Sequence, residues 1–421
     1  MDPSGILDID LDFHTEGSTY ASHALHAFAA KFPPQIPRLF IERFTTKGET
    51  VLDPMVGSGT TLLEAYLLGR RAIGVDIDPL AVRMAQVKTT PLKEKVEDIG
   101  FNVVFQARFL LGSATVEHEL ESRFDEEARR FIDYWFLPQT QRELMALICA
   151  IEQFPEDSPQ RLFLEVVFSS IIITKSGGVS IARDLAHTRP HRDLSKKPKN
   201  AIDQFWERIR KIAVPFNTLP NSRPLPEVRL GDARHLDVPD NSVHLVVTSP
   251  PYANAIDYMR AHKFSLVWLG KSLSTLSALR GQYVGGEKTT GVALEALPEP
   301  VSDIVAQVET KDARKARVLN RYFCDMKLCI GEIHRVLEPG RIAALVVGSS
   351  TIRGINVETA KCLGEIGKAV GFSLIGIATR KLDRDRRMMP ARAGNGALSN
   401  IEQRIHTEEV VIFQKTRSDA N

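Results

Sequence analysis

The chain has 421 residues, 43% of them hydrophobic and 25% charged. This composition excludes a disordered or fibrous protein and suits one large domain with an insertion, or two domains. With 54 Lys and Arg against 52 Asp and Glu the net charge is only +2, so a nucleic-acid contact has to come from local patches.

The first residues, 1–13, are acidic and lack the positive region and apolar core of a secretory signal. Pro33, Pro34 and Pro37 punctuate the start of a helix whose apolar face is Leu39, Phe40, Ile41 and Phe44. A strand at 50–52 runs into a glycine-rich turn at 53–59, and a helix at 60–68 is closed by Gly69. A second strand, 72–75, ends at Asp76, and a helix follows over 79–88. This βαβα alternation predicts parallel strands.

From 94 to 220 helical periodicity replaces the alternation and no strand is predicted. Apolar helices are expected at 144–154 and 162–173, and an amphipathic one at 200–214. Between them lie Gly177-Gly178 and a basic stretch, 183–199. The apolar run at 162–174 holds Glu165 and two serines and is too short to cross a membrane, so a cytoplasmic protein without membrane contact is expected. The alternation resumes with strands at 228–230 and 243–248, a helix at 254–270, a long helix at 318–337 and a tight turn at 338–340. A strand at 342–347, a helix at 357–370 closed by Gly371, and strands at 372–377 and 409–413 complete the pattern. The chain therefore divides into 1–93 and 223–421, two parts of one sheet domain, and 94–222, a helical insertion.

The turn Asp53-Pro54-Met55-Val56-Gly57-Ser58-Gly59-Thr60-Thr61 stands at the carboxyl end of a parallel strand, where open α/β sheets bind ligands. Its glycines let the backbone approach a ligand closely. It lacks the GxGxxG spacing, the Lys-Ser/Thr pair of a phosphate loop, and any basic residue to meet a pyrophosphate. A nucleoside cofactor without phosphates is expected, which points to S-adenosylmethionine. Asp76, with Ile77 beside it, is placed to accept from ribose hydroxyls. Asp232, with Ala233, ends the third strand and is placed to accept from an adenine amino group.

In Ser249-Pro250-Pro251-Tyr252 two prolines lock the backbone as a strand ends. Ser249 Oγ and the Pro250 carbonyl form a fixed pair of acceptors for the two hydrogens of an amino group, which frees its lone pair for attack on a methyl group. Tyr252 offers a flat face to a base taken out of its stack. Methyl transfer of this kind needs no metal and no nucleophilic side chain, because positioning supplies most of the rate. The four cysteines, Cys149, Cys324, Cys329 and Cys362, show no metal-ligand spacing and are expected to be free thiols.

Together these segments resemble the amino-methyltransferases of DNA that make N4-methylcytosine or N6-methyladenine, whose signatures are a DPF-x-GSGTT loop and a [DNS]-PPY corner. The likeness extends to Glu64-Ala65, to Gly74-Val75-Asp76, and to Ala30-Lys31-Phe32-Pro33-Pro34, and frames residues 25–90 and 226–350. It implies a Rossmann-like class I methyltransferase sheet carrying the helical insertion, with Lys31, Phe32 and Pro33 over the methionine end of S-adenosylmethionine. Family habit with serine at the corner favours cytosine N4, with adenine N6 as the alternative. Met55 in place of the usual aromatic also resembles RNA guanine methyltransferases, and a non-catalytic nucleic-acid-binding subunit is the third alternative. Double-stranded DNA is the expected partner, with a cognate restriction endonuclease as the candidate second. Arg183, Arg189, Arg192, Lys196 and Lys197 in the insertion, and Arg386 and Arg387 in a basic run from 380 to 392 that reads as a loop, are the residues predicted to meet phosphates.

Overall fold

The computed structural model describes residues 4–174, 176, 178–183, 185, 190–221, 223–253, 257–286, 296–348, 350–382 and 407–417. After a short 3₁₀ turn, α1 (Gln35–Phe44) leads to β1 (Thr50–Asp53), α2 (Thr60–Leu67), β2 (Arg71–Asp76) and α3 (Pro79–Thr89). The insertion supplies α4 (Val96–Leu110), α5 (Ala114–Ser122), α6 (Glu126–Trp135), α7 (Pro138–Ile151) and α8 (Pro159–Ile172). It closes with β3 (Ala182–Arg183), β4 (His191–Arg192) and α9 (Ala201–Phe216). Next come β5 (Glu227–Leu230), β6 (Val243–Thr248), α10 (Tyr258–Leu266), α11 (Leu273–Arg280), α12 (Glu299–Glu309) and α13 (Ala313–Val336). The chain finishes with β7 (Leu337–Gly348), β8 (Thr351–Ile352), β9 (Ile355–Asn356), α14 (Thr359–Val370), β10 (Phe372–Lys381) and β11 (Thr407–Lys415).

Seven strands form one sheet in the order β10-β11-β7-β6-β1-β2-β5. The five strands from β7 to β5 are parallel, and β11 runs antiparallel to both β7 and β10. This is the Rossmann-like class I methyltransferase layout. The order reverses between β1 and β6, which pair through Leu52 and Val246. The two loops that leave these strands therefore open side by side at the switch point, where such sheets bind ligands.

Alternation along the buried strands decides which helices cover which face. Val51, Leu245, Val247, Ala344 and Val346 face α1 through Ile36, Phe40 and Ile41. Leu52, Val246, Ala343, Leu345 and Val347 face α13 and α14 through Phe323, Met326, Ile330 and Leu363. The insertion has no core of its own: its helices share one cluster with Leu63, Leu80 and Met84 of α2 and α3 and with Phe264 of α10.

Several local features follow from sequence. Asp78 caps α3 by accepting from Leu80 N at 2.8 Å, with Pro79 in the first turn. Gly371, at φ 116°, closes α14. Other expectations need correction. The insertion is not wholly without strand, since β3 and β4 form a two-residue ladder. Residues 338–340 are not a turn between elements but part of β7, which starts at Leu337 opposite Val243; the register shifts between Val243 and Leu245. The pairing of β10 with β11 carries β10 to Lys381, so Arg380 and Lys381 are strand residues and not loop. Helices α11 and α12 fall where no element is predicted. Among the described residues no single helix is long and apolar enough to cross a membrane.

Candidate active site

The loop after β1 is shaped from beneath and behind. Gly57 and Gly59 take φ 49° and 79°. A Cβ on Gly59 would lie 2.8 Å from Ala85 Cα of α3, so only glycine permits this approach. Val56 N donates to Val75 O at 2.9 Å, and Gly57 N donates to Asp76 Oδ2 at 2.7 Å. Asp76 Oδ1 accepts from Asp78 N at 2.9 Å. Burial, and then the neighbouring Asp78, push the Asp76 carboxyl up to about 7 against the pull of these two amides. Asp78 itself lies below the usual carboxylate range: burial opposes its charge, but His262 Nδ1 at 2.5 Å and the Tyr283 hydroxyl at 2.7 Å outweigh it.

The predicted loop residues divide into two groups. Asp53 is 1% exposed, and its Oδ1 accepts from Met55 N at 3.2 Å; burial pushes its carboxyl up to about 6. Pro54, Ser58, Gly59, Thr60 and Thr61 are likewise buried. Ser58 Oγ accepts from the buried Lys88 Nζ at 3.1 Å, and Thr61 Oγ1 donates to Val247 O at 3.1 Å, tying the loop to β6. Met55, Gly57, Asp76 and Ile77 are the members with surface to offer.

Ile77 and Asp232 meet across a cleft of about 480 Å³, whose other wall is Thr275, Leu276 and Leu279 of α11. Ala233, also predicted here, is buried beside it. Apolar side chains with a carboxylate beside them could take a purine with an exocyclic amino group. Asp232 is also gripped by Arg234, whose NH2 donates to Oδ2 at 2.6 Å while its NH1 donates to Asp325 at 2.8 Å. Burial disfavours the Asp232 charge, yet these bonds hold its carboxyl below the usual range.

The upstream segment contributes differently than predicted. Lys31 Nζ donates to His23 O at 2.9 Å, while Phe32 is buried in the core of α1 and Pro33 is buried beside it. The residue over the loop is Phe28: a Cβ on Gly57 would lie 3.2 Å from its ring, which stacks on Tyr258 at a centroid distance of 5.0 Å. Nothing in the sequence singles out Phe28. His26, Ser169 of α8 and Ser265 of α10 lie at successive 2.9 Å separations, joining this segment to the insertion and to the helix after the corner.

At the corner, Ser249 Oγ donates to Val346 O at 3.0 Å, which leaves its lone pairs free to accept. Pro250 is buried and Pro251 half-buried. Tyr252 is 6% exposed; its hydroxyl donates to Glu408 Oε1 at 2.8 Å, and its ring lies where Gly348 has no side chain. Its pKa stands well above 10 through burial and then the Glu408 charge. The ring is thus more enclosed than the flat open face expected from sequence.

In the basic stretch Arg183 pairs with Asp193 at 2.8 Å, and Lys196 Nζ donates to Ser176 O at 2.9 Å. Burial lowers the Lys196 ammonium to about 8. Arg192, over the Tyr134 ring at 4.8 Å, and Lys197 and Lys199 are exposed. Arg189, Arg386 and Arg387 lie outside the described residues. Arg380, from the second basic run, is 1% exposed and paired with Glu408, so it faces no ligand. Among the described residues no cluster of potential ligands could hold a metal ion, and Cys149, Cys324, Cys329 and Cys362 form no disulfide.

A family model described as DNA methylase matches residues 11–87, the stretch that holds the upstream segment, the loop and Asp76. The chain is similar to the Type II methyltransferase M.MvaI of Kocuria varians, 24% identical over 433 residues that cover 96% of this chain and 93% of that protein. It is similar to M.BsoBI of Geobacillus stearothermophilus, 22% identical over 83% of this chain and 78% of that protein. Over 85 residues it is 38% identical to M.MjaII of Methanocaldococcus jannaschii, covering 20% of this chain and 16% of that protein. Among solved structures, a SAM-dependent methyltransferase from Methanosarcina mazei aligns over 90% of this chain and 97% of its own, at 11% identity and a TM-score of 0.33. At such a TM-score the fold assignment rests on the strand order alone. Residues 11–87 thus match the DNA methylase model, and along most of its length the chain is similar to Type II methyltransferases.

Proposed function

We propose that this protein methylates the exocyclic amino group of a base in DNA, with cytosine N4 as the favoured target and adenine N6 as the alternative. The observation that carries the reading is the placement of the glycine loop and the Ser249-Pro250-Pro251-Tyr252 corner on the adjacent strands β1 and β6. Asp76 would take ribose hydroxyls, the cleft between Ile77 and Leu276 the adenine, and Asp232 its amino group. Bound S-adenosylmethionine supplies a sulfonium methyl group.

The chain's own residues hold the base. Ser249 Oγ–H donates to Val346 O, so toward a base the oxygen acts as an acceptor. The Pro250 carbonyl, fixed by the two rings, is the second acceptor. Together they take the two hydrogens of an amino group and direct its lone pair outward. The buried ring of Tyr252 would form one side of the base site. Little else is required, since orientation alone supplies most of the acceleration in such displacements. The cytosine preference rests on Ser249 and family habit. Arg192, Lys197 and Lys199 would meet backbone phosphates, making the insertion the recognition region. The relatives' designation as Type II methyltransferases supports a modification enzyme paired with a nuclease.

The test is methyl transfer from labelled cofactor to unmethylated duplex DNA, followed by digestion to nucleosides and mass identification. N4-methylcytosine is expected. N6-methyladenine overturns the choice of base, and label in RNA alone overturns the substrate.

A further inference from the structure

We infer that the buried Arg380–Glu408 pair positions the tyrosine of the corner, Glu408 holding the Tyr252 hydroxyl and thereby the plane of its ring. The inference rests on the reading of the corner as the base-holding site. Arg380 and Glu408 stand directly opposite each other in the β10–β11 ladder. Arg380 NH1 donates to Glu408 Oε2 at 2.8 Å, and the two residues are 1% and 6% exposed.

A buried ion pair is a poor way to stabilise a sheet, because desolvation of both charges offsets their attraction. Apolar residues at the same register would serve the ladder as well. What the pair adds is the second carboxylate oxygen, Oε1, which accepts from the Tyr252 hydroxyl at 2.8 Å. Arg380 holds that carboxylate through Oε2 and so aims Oε1. The ring is confined from a second direction by Gly348 at the end of β7, where a Cβ would lie 2.5 Å from Tyr252 Cε2. An aromatic ring otherwise turns broadly about its second torsion. Here the ends of β6, β7, β10 and β11 converge on one ring. A base held by Ser249 and Pro250 therefore meets a wall already set at its angle.

The test uses the full chain and three changes. Arg380→Met with Glu408→Leu replaces the pair by apolar side chains, so no charge is left buried alone. Tyr252→Phe removes the hydroxyl, and Glu408→Gln keeps an acceptor for it. A hydrogen bond to an ionised acceptor corresponds to about tenfold to hundredfold. We expect kcat/KM for DNA to fall by that factor in Tyr252→Phe and equally in the Met/Leu variant. The triple variant, Arg380→Met, Glu408→Leu and Tyr252→Phe combined, should lose no more than either, because these substitutions all remove the same interaction. Glu408→Gln should fall between native and Met/Leu. Affinity for S-adenosylmethionine should stay within about twofold in all of them. Losses that multiply in the triple variant, or native kcat/KM in the Met/Leu variant, overturn the inference while leaving the corner reading intact. If Tyr252→Ala retains native methylation, the corner reading itself fails and the inference with it.

Discussion

Because burial and the neighbouring Asp78 push the Asp76 carboxyl up to about 7, the proposed role of Asp76 predicts cofactor binding that depends on pH near neutrality. If its ionised form receives the ribose hydroxyls, only about a tenth of the free protein is competent at pH 6, against most of it at pH 8. The dissociation constant for S-adenosylmethionine should therefore rise about tenfold from pH 8 to pH 6. The same group acts on stability with a definite sign. Its folded value lies above its ordinary 3.8, so the folded state holds a proton that the unfolded state has released. That contribution is complete below about pH 4 and is lost as pH rises to 7, a change of about 4 kcal/mol. Asp76→Asn should remove this component and flatten the cofactor titration. It should also weaken binding by about tenfold to hundredfold, because an amide nitrogen would face the Gly57 or Asp78 N–H in place of an acceptor. Isothermal titration from pH 6 to 8 and denaturant unfolding from pH 4.5 to 7.5 read both effects. A dissociation constant that does not change with pH in the native chain, or the same slope in Asp76→Asn, refutes the reasoning.

Gly59→Ala puts a side chain at φ 79° and within 2.8 Å of Ala85 Cα. The left-handed backbone alone costs about 1–2 kcal/mol, and the clash adds to it; thermal melting several degrees lower and weaker cofactor binding are expected, and native values for both would disprove the packing argument. Replacing Arg192, Lys197 and Lys199 by Glu should weaken DNA binding and reduce the slope of log affinity against log salt by about 0.9 for each phosphate no longer neutralised. An unchanged slope would remove that face of the insertion from the DNA path.

The boundary between what sequence and tertiary structure decide follows the range of the interactions. The glycine loop, the Gly371 stop and the Ser249-Pro250-Pro251-Tyr252 corner are set by residues adjacent in the chain, and each is legible from the sequence. So is the alternation that makes a parallel sheet with an insertion. The partners of those residues are not legible. Tyr252 meets Glu408 across 156 positions, and Asp78 meets His262 across 184 and Tyr283 across 205. Phe28 over Gly57, the α11 wall of the cleft beside Asp232 and the burial of Arg380 likewise depend on elements brought together from distant parts of the chain. Sequence by itself determined the local geometry of the loop and the corner, because backbone torsions and caps are short-range. Which side chains close around them was decided only by the fold, because burial and long-range hydrogen bonds exist only once the sheet has formed.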